Sequence, residues 1–120
     1  MEILANVVVV AIALLHIYIL VLEMFLWTTA RGMKVFGTEP EFARASAPLA
    51  ANQGLYNGFL AAGLAWALVA GGSVGFQAKI FFLVCVMVAG LYGGATVNRR
   101  ILFVQTVPAA IGLVLVLLAR

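Results

Sequence analysis

The stretch ILANVVVVAIALLHIYILVLEMFLWTT, residues 3–29, decides the fold. It holds one acid, Glu23, and one histidine, His16, in a run that is otherwise almost wholly apolar. About 20 such residues, rising about 1.5 Å each as a helix, cross the ~30 Å hydrocarbon core of a bilayer. The run is continuous, not alternating, so it predicts a helix and not a barrel strand. Three further runs, 47–70, 76–97 and 101–119, have the same character. The expected fold is an all-α membrane protein. It is a four-transmembrane-helix bundle forming one integral domain over residues 1–120, with both termini on the same, non-cytoplasmic side.

Composition agrees. Hydrophobic residues make up 66% of the chain and charged residues 9%. A soluble domain carries about 25% charged residues to cover its water-facing surface, so the solvent here is the lipid bilayer. The net charge of +3 is small and scattered, which excludes a nucleic-acid footprint. The chain contains no phosphate-binding loop, glycine-rich dinucleotide turn or paired-cysteine zinc motif. Its one cysteine, Cys85, lies in an apolar run and reads as a small buried hydrophobe. Glu2 stands where a cleavable signal peptide would have basic residues, so the first span is expected to be retained.

The connections set the topology. Residues 30–46 form the one sizeable loop. Gly71, Gly72, Ser73 and Gly75 predict a tight turn, and Asn98, Arg99 and Arg100 predict another, which makes spans three and four an antiparallel hairpin. The loops after spans one and three hold Arg31, Lys34, Arg44, Arg99 and Arg100; the opposite side holds Lys79 and Arg120. This excess predicts that the first set is cytoplasmic. Gly54 and Gly58, Gly90 and Gly94, and Ala89 and Gly93 stand four apart, a spacing that lets helices approach closely in lipid.

The polar residues gather on the predicted cytoplasmic half. Glu23 is an acid inside a span and requires a partner, a proton or water. His16 lies seven residues before it and Trp27 four after, so all three share a helix face with Leu20 between them. That face is read either as a binding or proton-handling site, or as a polar clamp in which Arg31, Arg44 or an amide holds Glu23. His16 has no second His or Cys at ligand spacing, so no metal site is expected. The segment 51–58, ANQGLYNG, brings Asn52, Gln53, Tyr56 and Asn57 into the start of the second span. These are expected to face Glu23, either contacting a ligand or acting as interhelical polar glue. Arg44, Arg99 and Arg100 ring the same mouth as headgroup anchors or, with Asn98 and Gln105, as a receiver for an anionic group. Pro108 removes a backbone donor near Gln105.

The runs 16–27, 31–37 and 51–61 resemble the bacterial family of domain of unknown function 1304. The resemblance covers nearly the full length and implies a small multi-span protein of the bacterial inner membrane. A looser similarity is to the four-helix MAPEG family of trimeric, glutathione-using membrane enzymes. Arg44, Asn52, Arg99, Arg100, Gln105 and Pro108 fall in comparable places, but Arg44 and Asn52 stand wider apart than that motif, and Tyr56 and Asn57 occupy the place of its glutamate. That similarity implies glutathione as a cofactor and a trimer.

Three functions follow from these readings. One is a polar, cytoplasm-facing intramembrane pocket that binds or transports a small or lipid-like ligand. A second is a glutathione-dependent membrane enzyme. A third is a structural or accessory subunit of a membrane complex. A homo-oligomer, dimer or trimer, is expected.

Overall fold

Helix is the structure that satisfies every backbone group of an apolar run without water, and the computed structural model, which describes residues 1–120, contains helices and turns with no strand. α1 is Glu2–Met24, α2 Ala30–Phe36, α3 Pro40–Ala70 and α4 Gly72–Thr96. A π-helical segment, Leu102–Thr106, leads directly into α5, Val107–Ala119. Three helical stretches, Glu2–Met24, Gly72–Thr96 and Leu102–Ala119, are long and apolar enough to cross a membrane. α3 is the longest helix at 31 residues, yet it is not among these three: even its most apolar stretch, 53–70, contains the amides Gln53 and Asn57, which lower its hydropathy. Large apolar side chains face outward on every long helix, with Ile3 80% and Val69 87% exposed. That surface is suited to lipid and not to water.

Two boundaries differ from the sequence reading. The first helix ends at Met24, not at residue 29. Residues 30–46 are not a loop: they hold α2 and the opening of α3. The cause is local capping. Thr29 Oγ1 accepts from Gly32 N at 3.2 Å and donates to Leu26 O at 2.6 Å, so Thr29 caps a new helix instead of extending the old one. Gly37, at φ 68°, ends α2 in the left-handed region, and Thr38 N bonds back to Met33 O at 3.0 Å. Pro40 then opens α3 at the position where its missing N–H costs nothing.

The backbone divides into two compact units, Met1–Ala13 with Ala62–Arg120, and Leu14–Ala61. The first contains the hairpin of α4 with the π segment and α5. The predicted tight turn is present: Gly71 and Gly72, at φ 61° and 58°, reverse the chain between α3 and α4. At the other end Asn98 Oδ1 accepts from Arg100 N at 2.8 Å and fixes the second turn. Small residues let the hairpin close. A Cβ on Gly90 would lie 2.1 Å from Thr106 Oγ1 and 2.8 Å from Thr106 N, and one on Gly94 would lie 2.5 Å from Leu102 Cγ. Gly90 and Gly94 thus serve packing within the chain. Around Gly112, the side chains of Val8, Ile12 and Leu83 meet and join α1, α4 and α5 in one apolar core.

Thr106 Oγ1 donates to Met87 O at 3.0 Å across the hairpin. Thr106→Val keeps the shape and removes that bond, so it should lower unfolding stability by about 1 kcal/mol, read as the midpoint shift in a mixed-micelle detergent titration. The neighbouring π turn has a structural cause. Pro108 has no N–H and its ring would crowd the Val104 carbonyl in a regular helix. The chain widens there, and Val107 N bonds to Leu102 O, five residues back.

Candidate functional site

Within the Leu14–Ala61 unit three polar side chains are buried, His16, Glu23 and Asn57, and the others are more exposed. His16 is fully buried on α1, and Glu23, seven residues on, is 8% exposed on the same helix face. Facing it is Asn57 of α3, also buried. Asn57 Nδ2 donates to Glu23 Oε1 at 2.7 Å and to its own helix at Gln53 O, 3.3 Å away. Two glycines make the approach possible. A Cβ on Gly54 would fall 3.1 Å from Glu23 Cβ and 2.7 Å from Met24 Cγ, and one on Gly58 would fall 2.7 Å from Leu20 Cδ1. The pair spaced four apart in the sequence is therefore the seam between α1 and α3, as its spacing predicts.

The partner of Glu23 is a neutral amide, not a cation. Arg31 is engaged elsewhere: its guanidinium donates from Nε to Tyr18 Oη at 3.1 Å and lies over the Tyr18 ring, 5.6 Å from its centroid. Arg44 is exposed on α3. Of the three candidate holders of Glu23, the amide is the one realised. A carboxylate has about four acceptor sites, so one amide N–H leaves it with capacity for a further donor.

Other predicted members lie elsewhere. Trp27 does not share the helix face of His16 and Glu23, because α1 stops at Met24. It sits in the connecting turn, where Nε1 donates to Ser46 Oγ at 3.0 Å and the ring rests 4.9 Å from that of Phe36. Asn52, Gln53 and Tyr56 are exposed, and Asn57 is the one of the four whose side chain is buried against Glu23. Asn52 Nδ2 donates instead to Tyr56 Oη at 3.1 Å, one helical turn on. A helix presents residues four apart on one face, and Asn57 stands about 100° round from Tyr56, off that pair's face. Arg99 and Arg100, both exposed, and Gln105, half-buried in the π segment, belong to the other compact unit. Tyr18 and Ser46 are the polar partners that sequence reasoning missed. Ser46 follows Phe42 by one turn and bonds its carbonyl at 2.7 Å, a signal hidden by reading residues 30–46 as loop.

No solved structure matches the chain. The protein named "Uncharacterized protein YpaA" from Lactococcus lactis subsp. lactis (strain IL1403) is 32% identical over 107 residues, covering 88% of this chain and 89% of its own length. The model of the family described as "Protein of unknown function (DUF1304)" matches residues 10–117, which include the whole Glu23–Asn57 site. On that match over most of its length, the chain belongs to the DUF1304 family.

Proposed function

We propose that this chain is a multi-pass protein of the bacterial cytoplasmic membrane whose Leu14–Ala61 unit binds a small or lipid-like ligand at Glu23. α3 is the fourth span in this reading, and both termini face away from the cytoplasm. The observation that carries it is a buried carboxylate in an apolar helix held by one neutral amide N–H. A clamp between two helices needs only a donor and an acceptor, which glutamine at 23 would supply as well. A charged side chain costs ~2.5–3.5 kcal/mol at mid-membrane and less toward the interface, so a carboxyl near the end of α1 still carries a cost that an amide avoids. Its use is accounted for by a ligand that brings a hydrogen-bond donor or a positive charge to the free side of the carboxylate. His16, on the same face, belongs to this site; Asn52, Tyr56 and Trp27 do not line it.

The direct 2.7 Å contact between Asn57 and Glu23 favours a second reading, in which the pair is structural and the chain is an accessory subunit. The glutathione reading draws on Arg44 and Asn52. Both are exposed and Asn52 is bonded to Tyr56, so the geometry lends it no support.

Glu23→Gln separates the first two. It keeps an acceptor for Asn57 and removes a buried ionisable group, so unfolding stability should not fall below the parent's. On the binding reading, a density map of the native protein in lipid nanodiscs shows ordered non-protein density against Glu23, and the Gln variant loses it. Native protein with no such density, or a variant that keeps it unchanged, would reduce the pair to a clamp.

A further inference from the structure

The Met1–Ala13 with Ala62–Arg120 unit holds a cleft of about 490 Å³, lined among others by Glu2, Asn6, Ser73, Phe76, Lys79 and Arg120. It lies where the start of α1, the α3–α4 turn and the end of α5 converge, and it has no part in the Glu23 site. Its charges are the distinctive feature. Lys79 is half-buried inside the apolar span α4, and Nζ donates to Asn6 Oδ1 at 2.7 Å. That partner is neutral and takes one of three ammonium donors, so the positive charge is oriented but not neutralised. Arg120 lies over the Phe76 ring, its Cζ 4.6 Å from the centroid. A cation–π contact of this kind positions the guanidinium without neutralising its charge, so the group can still bind the oxygens of an anion. The first turn of α4 adds to the same potential, since Gly71 gives it no side-chain cap. Glu2 puts one carboxylate in the same lining.

Two oriented cations with donors to spare match the oxygens of a phosphate. The single carboxylate matches a positive group beside it. We propose that this cleft binds a phosphate group that carries a neighbouring ammonium, the chemistry of a phosphoethanolamine headgroup. Lys79 and Arg120 hold the phosphate, and Glu2 faces the ammonium. Asn6 is a positioning residue that keeps Lys79 aimed into the cleft. A lysine that merely snorkels toward the interface needs neither this amide partner nor a cleft.

The test is native mass spectrometry of the full-length protein released from detergent micelles. The micelles are doped with phosphatidylethanolamine, with diacylglycerol of the same chains as a phosphate-free control, or with inorganic phosphate. Phosphatidylethanolamine adducts should be retained over diacylglycerol, and retention should fall about tenfold in Lys79→Met and in Arg120→Gln, as expected for loss of a charge-assisted contact. Lys34→Gln, which removes an exposed cation of α2 outside this cleft, should change nothing. Should Lys79→Met fail to fold, Arg120→Gln leaves the Lys79–Asn6 bond intact, and Ser73→Trp blocks the cleft from an exposed rim; both should lower retention. Inorganic phosphate retained with the same variant dependence would support the phosphate site and name a free phosphate as its source. Equal retention of phosphatidylethanolamine and diacylglycerol, or variants that retain lipid as the parent does, would overturn the proposal.

Discussion

Asn57→Leu should lower the unfolding stability of the protein by about 2–3 kcal/mol, the expected cost of stranding a buried polar partner. The substitution is close in volume, so little of the loss comes from packing. What changes is Glu23: its 2.7 Å donor disappears, and the side chain stays in a seam closed by Gly54 and Gly58. Breaking one side of a buried polar pair costs more than the pair contributes, because the remaining group keeps its desolvation penalty. Bonds between membrane helices are individually weak, averaging about 0.6 kcal/mol in double-mutant cycles, so most of the effect should be this stranding. The double variant Glu23→Leu, Asn57→Leu should therefore recover a large part of the loss. Trp27 and Trp66 fluorescence during a mixed-micelle unfolding titration gives all corners of the cycle. Additive losses, with no recovery in the double variant, would show that the two side chains do not act as a pair.

Gly32→Ala should cost about 3 kcal/mol, at the upper end for overpacking. Two effects oppose each other here. Alanine favours helix over glycine by up to about 1 kcal/mol, and Gly32 lies within α2 with an ordinary negative φ. Sterically, however, its Cβ would stand 2.0 Å from Leu26 O and 2.8 Å from Leu26 C. These are backbone atoms of the turn between α1 and α2, with no flexible side chain to swing away. The clash wins, and the turn must shift. The Thr29 cap, the Trp27–Ser46 bond and the Arg31–Tyr18 contact all hang on that turn. Near-ultraviolet circular dichroism should report the loss of the fixed Trp27 environment together with the stability change. A Gly32→Ala protein as stable as the parent would show that the turn yields without cost.

What could be read from the sequence was what hydrocarbon enforces. Uninterrupted apolar runs mark helices wherever backbone groups have no water to bind, and α1, α4 and the Leu102–Ala119 stretch follow them closely. The Gly71–Gly72 reversal was equally legible, because two successive left-handed residues favour glycine. The α1–α2 boundary was not. Residues 25–29 contain no charge, proline or glycine to mark an end, and the helix stops there for the sake of one threonine cap. The site was half legible. Glu23 had to find a partner, and the amide-rich stretch was the right place to look for one. Which amide depended on the rotation of α3, fixed by Gly54 and Gly58 against Leu20 and Met24. A one-dimensional reading counts those glycines but does not assign them a neighbour. Lys79 was hidden for a different reason. As a lone cation in an apolar run it reads as a topology marker, and only the fold brings it to Asn6, 73 positions away.

The wide turn at Leu102–Thr106 bears on how such a chain can change over generations. An insertion or deletion of one codon in a packed membrane helix rotates everything beyond it by about 100°, which turns the inner face toward lipid. A π turn already contains one residue more than its rise requires. Loss of a codon between Leu102 and Thr106, together with replacement of Pro108 by a residue that has an N–H, would close the turn to ordinary α-helix and leave Ala109, Gly112 and Val116 facing inward as they do now. Relatives one residue shorter at this place are therefore expected to lack the proline and to conserve the inner face downstream, whereas single-residue gaps within α1 or α4 would be selected against.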